Sequence, residues 1–404
     1  MNIFLIGTYS SLNKGDFAMH QALINEVSRR LKEVVFSILS LFPKLDKERY
    51  SSYFHRYPEI RCEKNLLISP TFNARSNLMA YVGVPSPLLK NCDFVIDVSG
   101  DAVGETYGFK NTIYRISYLN LIKNLKKKLI FAPQSLGPFT YSKFVFKRLL
   151  TWAEIVCARD SLSYRYLYEL GLDNFLKSAD LAFLLNQRES NLNKKYLEEI
   201  RHQNGTKIGL NLSFLMERYV SWSGHKSNVV ELGVKLCKKM WRTFGDVTLI
   251  FIPHVFGPEK SKDDRMVGKM IYERLSKGSK RKFILVEEEM THEEIKAIIL
   301  DLDLFIGSRM HACIGSASVG TPFINIAYSD KSLGLVRDDF ELPMCQVDIR
   351  NIKDEQEFVH KILAHVKFAL SHKEEIKETL RSKSFKFGRM AEKSIDEICE
   401  ILKD

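Results

Sequence analysis

Residues 302–327 read LDLFIGSRMHACIGSASVGTPFINIA and contain the pattern that decides the fold. An apolar run at 302–306 is followed by a segment rich in small residues at 311–319, and a second apolar run lies at 322–327. Short apolar strands that alternate with helices are typical of parallel sheets, because helices cover both faces of the sheet. We therefore predict a strand–helix–strand unit here.

The same alternation extends along the chain on both sides of this unit. Short runs rich in β-branched and aromatic residues predict strands at 2–6, 34–38, 94–98, 129–132, 155–157, 208–212, 247–252, 283–286, 302–306 and 322–327. Apolar residues at helical spacing predict helices at 17–33, 111–125, 141–152, 228–244, 264–276, 291–300 and 311–319. The order of these elements predicts an α/β protein.

The clearest domain boundary is the polar stretch 186–206, which has no strand pattern and contains Asn-Gly near its end. We predict a linker there, between an N-terminal α/β domain at 1–185 and a C-terminal α/β domain at 207–370. The remaining residues, 371–404, predict a helical extension. Two Rossmann-like domains facing a cleft would bind ligands at the carboxyl ends of their strands.

Composition excludes several classes of protein. Hydrophobic residues make up 45% and charged residues 27% of the 404 residues, which is typical of a soluble globular chain and not of a disordered or fibrous one. The longest apolar runs, such as 247–252, are far too short to span a bilayer. The first residues, MNIFLIGTYSS, lack the basic and long apolar segments of a secretory signal, so we expect a cytoplasmic protein.

The sequence indicates neither a metal site nor disulfides. Its seven cysteines are widely spaced and form no C-x-x-C pair, which argues against a zinc ribbon and a disulfide framework. The H-E-x-x-H and calcium-loop patterns are missing from the sequence. Asp301 and Asp303 form a D-x-D pair that could hold a metal, but alternation at a strand edge explains their spacing more simply.

The chain carries 60 basic and 49 acidic residues, a formal net charge of +11. This excess favours an anionic partner, which could be nucleic acid, a phosphorylated substrate or a membrane surface, although a basic surface can also serve solubility alone. No nucleic-acid-binding motif accompanies the charge, so we expect no nucleic acid. The basic stretches are 123–128, 143–148, 235–242 and 276–282.

The predicted helix 141–152 combines cations with apolar residues that include Phe144 and Val145. A helix that lies on a membrane surface has this composition. The alternative is that its apolar face packs inside the first domain and only its lysines are exposed.

The loop GTYSSLNKGD at 7–16 follows the first strand and opens a helix. Free N–H groups at a helix N-terminus attract anions, but the loop matches neither the dinucleotide-binding nor the Walker pattern. Asn13 and Asp16 are the candidate binding residues. The alternatives are that Asp16 is a helix N-cap and that Asn13 only makes a turn.

The loop DVSGDAVGETYG at 97–108 follows another strand and places Asp101, Glu105 and Tyr107 at the strand end. A carboxylate there could accept a proton from a sugar hydroxyl. The alternative is a solvated loop whose acidic residues make turns.

Two further strand ends in the first domain carry polar residues. In FAPQSLGPF, residues 131–139, Gln134 could form hydrogen bonds with a polyol, or the segment could be a tight connection. After the next strand, Arg159 could bind an anion or pair with Asp160 or another acid. Either Asp160 or Ser161 is expected to cap the helix that follows.

The motif SRMH at 308–311 follows a buried strand in the second domain. Arg309 offers two parallel donors to a carboxylate or phosphate, and His311 can donate a proton near neutral pH. Ser308 and the helix N-terminus add donors, and Lys331 lies beyond the end of the adjacent strand. The alternative is a core histidine and a surface arginine.

His254 lies at another strand end, within IPHVFGP at 252–258. It could bind phosphate, or it could serve only in a turn. The following Asp263 and Asp264 are candidate N-caps of the next helix.

This ordered set of motifs resembles the polysaccharide pyruvyltransferase family. The set consists of N-K-G-D at 13–16, S-G-D-x-x-G-E-x-Y-G at 99–108, P-Q-S-x-G-P at 133–138, A-R-D-S at 158–161, S-R-M-H at 308–311 and I-A-Y-S-D-K at 326–331. The resemblance covers about 13–331. The sequence departs from the family before Asp101, where Ser99-Gly100 replaces the usual pair of glycines, and this departure affects the predicted acceptor loop.

The resemblance implies a fold similar to that of the B-type glycosyltransferases and transfer of the pyruvyl group of phosphoenolpyruvate to two sugar hydroxyls, forming a cyclic ketal. It makes the first domain the acceptor side and the second the donor side. The implied catalytic residues are His311, Arg309, Asp101 and Asp16. The implied donor-binding residues are Ser308, Arg309, His311, Lys331, Arg159 and His254. The implied acceptor-binding residues are Asn13, Asp16, Asp101, Glu105, Tyr107 and Gln134.

The predicted function is therefore pyruvyl transfer to a sugar of a surface polysaccharide or of its lipid-linked precursor. Phosphoenolpyruvate is the co-substrate, and no further cofactor or metal is expected. Peripheral contact with the anionic inner face of a membrane would bring the protein to a lipid-pyrophosphate-linked acceptor. The alternatives are a nucleotide-sugar-dependent glycosyltransferase of the same fold and a non-catalytic protein that binds glycan or membrane.

Overall fold

The structure is a computed structural model that describes residues 1–7, 10–54, 60–64, 71–73, 78–80, 86–219, 221–222, 225–226, 228–275 and 282–404. Contacts group the chain into two compact units. The first unit comprises Met1–Ser11, Met19–Leu181 and Gly388–Asp404, and the second comprises Leu12–Ala18 and Ala182–Phe387. Two segments, Leu12–Ala18 and Gly388–Asp404, therefore lie in a different unit from the residues next to them in sequence.

The first unit alternates strands and helices. Its strands are β1 (Asn2–Ile6), β2 (Val35–Ser40), β3 (Ile60–Lys64), β4 (Thr71–Asn73), β5 (Leu78–Ala80), β6 (Phe94–Asp97), β7 (Lys128–Gln134), β8 (Ile155–Ala158) and β9 (Phe175–Lys177). Its helices are α1 (Lys14–Arg30), α2 (Pro43–Tyr53), α3 (Pro87–Lys90), α4 (Phe109–Asn124), α5 (Lys143–Trp152) and α6 (Ser161–Leu170). The first residues of α1 lie in Leu12–Ala18 and are grouped with the second unit.

Seven of these strands form a parallel sheet in the order β3-β2-β1-β6-β7-β8-β9. All residues of β6 are buried, as expected for a parallel strand covered on both faces. Ile6 at the end of β1 lies opposite Asp97 at the end of β6. The loops that begin at Gly7 and Val98 therefore leave the same edge of the sheet, beside the point where the strand order reverses.

The core of the first unit joins α4 and α5 to this sheet. Phe131 of β7, Leu119 of α4 and Phe146 of α5 belong to one cluster of buried apolar residues. Burying each such side chain contributes roughly 1.5–3 kcal/mol. Both helices are therefore held by one apolar face, and their opposite faces remain at the surface.

The second unit has the same alternation. Its strands are β10 (Thr206–Asn211), β11 (Ser221–Trp222), β12 (His225–Lys226), β13 (Val247–Phe251), β14 (Phe283–Leu285), β15 (Leu304–Gly307), β16 (Phe323–Ala327) and β17 (Gln346–Asp348). Its helices are α7 (Asn191–Arg201), α8 (Val229–Phe244), α9 (Asp264–Arg274), α10 (His292–Leu300), α11 (Met310–Ser318), α12 (Asp330–Gly334), α13 (Glu355–Ser371) and α14 (Lys373–Lys403). From Gly388 onward, α14 is grouped with the first unit.

A second parallel sheet has the strand order β14-β13-β10-β15-β16-β17. Asn211 at the end of β10 lies opposite Gly307 at the end of β15, and Gly307 lies opposite Asn325 of β16. The motif that follows Gly307 is therefore placed at the carboxyl edge of the sheet, between two neighbouring strands.

The structure confirms the predicted α/β class with two parallel-sheet domains. Each predicted strand overlaps an observed strand with ends that differ by at most two residues. The patterns do not predict the edge strands β3, β9 and β17. Strands β9 and β17 have only three residues each and β9 is only partly buried, whereas β3, with the sequence IRCEK, is not a continuous apolar run. The predicted linker contains α7, which buries Tyr196, Leu197 and Ile200.

Two alternatives were given for the segment 141–152: a helix on a membrane surface, or a helix whose apolar face packs inside the first domain. Helix α5 has features of both. Phe146, Leu149 and Leu150 are buried in the first unit, whereas Phe144 and Val145 are exposed. Within the described ranges, the structure contains no helix that is both long and apolar enough to cross a bilayer. Of the basic stretch 276–282, all but Lys282 lies outside the described residues.

Candidate functional site

Asn211 connects three strand ends of the second unit. Its Nδ2 donates to the carbonyl of Ile252 at 3.0 Å and to Oδ2 of Asp264 at 3.3 Å. Its Oδ1 accepts from the backbone N–H of Arg309 at 3.2 Å and from Oγ of Ser308 at 3.5 Å. This buried amide therefore fixes the backbone of the 308–311 motif. Asn211 is not among the predicted site residues, although its position at a strand end was a signal that could have identified it.

Arg309 forms an ion pair with Asp264 through two hydrogen bonds. Nη2 donates to Oδ1 at 2.9 Å and Nε to Oδ2 at 3.3 Å, and the side chain of Arg309 is 18% exposed. Burial lowers the pKa of Arg309, but the carboxylates of Asp264 and Asp16 and the hydroxyl of Tyr328 raise it above the ordinary value overall. Arg309 is therefore a fixed cation.

Asp264 itself is held in place by the backbone. Its Oδ2 accepts from the N–H groups of His254 at 3.2 Å and Val255 at 3.1 Å. The N-cap of α9 is Asp263, which accepts from the N–H of Arg265 at 3.0 Å. Of the two candidate caps, Asp263 is therefore confirmed, and Asp264 instead orients Arg309.

The loop 12–16 packs against the 308–311 motif within the second unit. The N–H of Lys14 donates to the carbonyl of His254 at 3.0 Å, and the N–H of Phe256 donates to the carbonyl of Leu12 at 3.0 Å. A Cβ atom at Gly15 would overlap the imidazole ring of His311. Only glycine therefore allows this approach of the two motifs, which lie almost 300 residues apart in the sequence.

Lys14 adds a buried cation beside this contact. Its side chain is 3% exposed, and its Nζ donates to Oε1 of Glu289 at 2.6 Å. The same Nζ lies 5.3 Å from the ring centroid of Phe256 and 5.6 Å from that of Phe17. Lys14 is not among the predicted site residues, although it is the second residue of the N-K-G-D motif.

His254 and His292 form a buried pair behind the cations. Nδ1 of His292 lies 3.3 Å from Nε2 of His254. Burial lowers the pKa of both rings far below the ordinary value, and the charges of Arg309 and Lys14 lower that of His254 further. Both rings are therefore neutral at neutral pH. Within the described part of the chain, Nδ1 of His254 and Nε2 of His292 have no hydrogen-bond partner.

Lys331 lies on α12, directly beyond β16, and is 8% exposed. Ser329 caps this helix by accepting from the N–H of Ser332 at 3.3 Å, and Nδ2 of Asn325 donates to Oγ of Ser332 at 2.7 Å. These bonds set the direction in which α12 leaves the sheet edge.

Asp101 and Tyr107 form a pair in the first unit. The Tyr107 hydroxyl lies 2.7 Å and 2.8 Å from the two carboxylate oxygens of Asp101, to which it donates. Tyr107 is exposed and Asp101 is partly buried. This pair places a carboxylate and a phenol at the carboxyl end of β6, where a hydroxyl-bearing ligand can reach them.

Gln134 belongs to a buried network in the same unit. Its Oε1 accepts from Oγ of Ser99 at 2.7 Å, and its Nε2 donates to the carbonyl of Asp97 at 3.2 Å. Arg115 pairs with the carboxylate of Asp97 and donates to Oγ of Ser99 at 2.6 Å. A Cβ at Gly7 would overlap Ser99. The network therefore fixes the start of the loop that carries Asp101.

Glu105 orders the start of α5. Its Oε1 accepts from the N–H groups of Thr140 and Ser142, both at 2.8 Å, and from the Ser142 hydroxyl at 2.5 Å. Burial raises the pKa of Glu105, but these hydrogen bonds lower it below the ordinary value overall. Its carboxylate is therefore engaged by the residues that lead into α5.

Arg159 pairs with Asp180 in the first unit, with Nη1 2.6 Å from Oδ2, and its Nε donates to Oγ of Ser135 at 2.9 Å. Burial lowers its pKa, but the carboxylates of Asp180, Asp101 and Asp160 raise it above the ordinary value overall. Asp160 is the N-cap of α6 and accepts from the N–H of Ser163 at 2.8 Å.

The structure thus divides the predicted residues between its two units. The second unit contains Asn13, Asp16, His254, Ser308, Arg309, His311 and Lys331. The first unit contains Asp101, Glu105, Tyr107, Gln134 and Arg159. Asn13 and Asp16 are grouped with the second unit and not with the N-terminal residues around them, because the loop that contains them pairs with 254–256.

Asp16 is also not the helix N-cap. Helix α1 begins at Lys14, and Oδ1 of Asn13 accepts from the N–H of Gly15 at 3.2 Å. Asn13 thus makes the local turn that was the alternative to a binding role. Asp16 lies within the first turn of α1, where its charge acts on Arg309.

Known proteins resemble this chain in sequence and in fold. The chain is 24% identical to the amylovoran biosynthesis protein AmsJ of Erwinia amylovora over 413 aligned positions, covering 94% of each chain. Among solved structures, the S. aureus MnaA–UDP complex is 12% identical, with a TM-score of 0.61 and coverage of 100% of this chain and 96% of that one. A Siraitia grosvenorii ugt transferase bound to UDP is 9% identical, with a TM-score of 0.58 and coverage of 100% and 99%.

At these identities the solved structures show the fold alone, which is that of the B-type glycosyltransferases and UDP-N-acetylglucosamine 2-epimerases. A family model described as polysaccharide pyruvyl transferase matches residues 13–330, a range that runs from the N-K-G-D motif to the end of the I-A-Y-S-D segment. The chain therefore belongs to the polysaccharide pyruvyl transferase family.

Proposed function

We propose that this protein transfers the enolpyruvyl group of phosphoenolpyruvate to a sugar of a surface polysaccharide, or of its lipid-linked precursor, and forms a pyruvyl ketal. The observation that supports this proposal is the packing of the Lys14–Asp16 turn against Arg309 and His311. It gathers cations and a carboxylate at one sheet edge, as a small anionic donor and an acid–base reaction require.

The donor carries a carboxylate and a phosphate close together, so its site needs several fixed cations. The hydrogen bonds described for Arg309 use Nε and Nη2, and we assign Nη1 to the donor. Lys14 and Lys331 supply further positive charge. Ser308 can supply a neutral hydrogen bond, and so can Nδ1 of His254, which has no partner among the described residues.

In the proposed reaction His311 protonates the methylene carbon of the donor, which becomes the methyl group of the ketal. A sugar hydroxyl attacks the neighbouring carbon and gives its proton to a carboxylate, for which Asp16 and Asp101 are the candidates. A second sugar hydroxyl then attacks the same carbon and closes the ring, and phosphate leaves with the remaining proton. No further cofactor enters this scheme.

The test is incubation of the purified protein with glycan precursor and either phosphoenolpyruvate or a nucleotide sugar. We expect phosphate release that depends on both phosphoenolpyruvate and acceptor, together with the mass increase of a pyruvyl ketal on the sugar. Release of UDP or CMP from a nucleotide sugar would instead identify a glycosyltransferase. Failure of every donor would favour the non-catalytic alternative.

The matched variants are Arg309→Ala, Arg309→Lys and Arg337→Ala. Losing a charge-assisted contact in a desolvated site costs about 2–5 kcal/mol, so Arg309→Ala should weaken donor binding at least thirtyfold in calorimetry. Lysine cannot provide the paired donors of arginine, so Arg309→Lys should not restore binding. Arg337 is an exposed arginine of the same unit, and its replacement should leave binding unchanged. Unchanged binding in Arg309→Ala would refute the assignment.

A further inference from the structure

The stretch 106–153 has an unusual charge distribution. It contains nine basic residues and no aspartate or glutamate, although the chain has 49 acidic residues. This stretch includes helices α4 and α5 and the strand between them. Arg115 is buried against Asp97, but Lys110, Lys143 and Arg148 are exposed. The stretch therefore contains no acidic residue of its own that could pair with these exposed cations. The carboxylate of Glu105 lies at its edge, where it accepts from the N–H groups of Thr140 and Ser142.

The two helices lie side by side on the sheet. At their N-terminal ends, the rings of Phe109 and Tyr141 are 5.9 Å apart between centroids. At their C-terminal ends, Nζ of Lys123 lies 5.6 Å from the ring centroid of Trp152. The helices therefore run in the same direction and present one continuous outer face. We call the part of this face formed by Phe109, Lys110, Tyr141, Lys143, Phe144 and Arg148 the α4–α5 surface.

Large apolar side chains project from the α4–α5 surface. Phe144 is 87% exposed, and Phe109 is 63% exposed. Phe146 of the same helix is fully buried, so the exposure of Phe144 is not due to a loosely packed helix. Aromatic residues among exposed cations match the boundary of a bilayer, where rings enter the headgroup layer and cations meet anionic headgroups.

We propose that the α4–α5 surface docks on a lipid bilayer that contains anionic phospholipids. Charge complementarity selects this occupant. A second copy of the chain would bring two surfaces of the same sign together, and duplex nucleic acid would leave the phenylalanine rings in water. Docking would hold the protein at a membrane without a transmembrane helix, and it does not depend on which group the protein transfers.

The test is sedimentation of the full-length protein with vesicles of phosphatidylcholine alone or with about one third phosphatidylglycerol. We expect binding only to the anionic vesicles, with clear weakening between about 0.05 M and 0.5 M salt, because salt screens charges at the surface. Each basic residue near an anionic surface contributes about fivefold to binding. Removing two of them in Lys143→Ala/Arg148→Ala should therefore weaken binding about thirtyfold.

Phe144→Ser tests the apolar contribution and should weaken binding about tenfold, since part of a phenylalanine would no longer be buried in lipid. The matched controls are Lys238→Ala/Lys239→Ala and Phe385→Ser, which change two exposed lysines and a 76% exposed phenylalanine elsewhere in the chain. These controls should bind as the unaltered protein does.

Three results would overturn the proposal. The first is no binding to anionic vesicles at low salt. The second is an equal loss in the α4–α5 variants and in the controls. The third is full displacement of the protein from vesicles by duplex DNA, to the same extent for the unaltered protein and for Phe144→Ser. Circular dichroism melting of each variant ensures that folded proteins are compared.

Discussion

Gly15 determines how closely the first turn of α1 approaches His311. The ring of His311 occupies the space that a side chain at position 15 would need. This contact makes the position of a candidate proton donor depend on a residue at the other end of the sequence. The rate of an enzymatic reaction depends strongly on the position of its catalytic groups, because a displacement of about 1 Å can lower the rate about 10²-fold.

We therefore expect Gly15→Ala to lower turnover about 10²-fold, since the new methyl group forces the imidazole of His311 to move. Its effect should resemble that of His311→Gln, in which turnover falls more than donor affinity. Steady-state kinetics of phosphate release, together with donor calorimetry, provides the measurement.

The matched control is Gly388→Ala. A Cβ at Gly388 meets nothing within 4 Å, and the residue lies inside α14. Alanine there should leave turnover unchanged and stabilise the helix by roughly 0.5–1 kcal/mol. Full turnover in Gly15→Ala would show that the position of His311 is unimportant for the reaction.

At the scale of elements, α1 and α2 are joined by a buried polar contact. One ring nitrogen of His20, Nδ1, lies 2.6 Å from the Tyr50 hydroxyl, and the ring of Tyr50 also stacks on Phe54. Burial lowers the pKa of His20 to about 3. The ring is therefore neutral in the folded protein over most of the acidic range, whereas it is charged below about 6.5 in the unfolded chain.

This difference predicts that stability falls as the pH falls from about 6.5 towards 3. In that range the unfolded chain binds a proton that folded His20 does not, and each pH unit costs about 1.4 kcal/mol. Thermal melting between pH 7 and pH 4 should show a smaller decrease for His20→Gln than for the unaltered protein. The control His202→Gln changes an exposed histidine and should retain the original pH dependence. Identical slopes in both variants would contradict the prediction.

At the scale of the whole molecule, the C-terminal residues complete the first unit. The hydroxyls of Ser178 and Ser394 lie 2.6 Å apart, and Ile395, Ile398 and Leu402 of α14 are buried. Strand β1 and the part of α14 from Gly388 onward thus belong to the same compact unit. The first unit therefore requires residues from both ends of the sequence.

We expect Ile395→Ala to destabilise the first unit by about 2–5 kcal/mol, because it leaves a cavity in a fully buried position. Hydrogen exchange followed by mass spectrometry should detect faster exchange in β1 and β6. The control Leu41→Ala changes a leucine that is 45% exposed in the same unit and should have little effect. Unchanged exchange in Ile395→Ala would mean that the end of α14 contributes little to this unit.

Much of the fold is predictable from local patterns, because buried parallel strands are continuous apolar runs. The runs at β13, β15 and β16 identify their strands within two residues. The edge strand β9 has only three residues, and none of them is fully buried. It is a strand because it pairs with β8, and its composition does not predict it. Helix α7 was missed for a different reason: its buried apolar residues Tyr196, Leu197 and Ile200 lie among polar and charged ones, so the segment is polar on average.

The sequence by itself determined the α/β class, the family and the motif that contains Arg309 and His311. Each of these is encoded in neighbouring residues, by apolar periodicity or by residue type at fixed spacing. Only the tertiary structure decided that Lys14, Asp16 and His292 belong beside that motif and that Asp264 pairs with Arg309. These contacts join residues from distant parts of the chain. Their geometry depends on the order of the strands in the sheet, and on Gly15, whose lack of a Cβ atom allows two segments to meet.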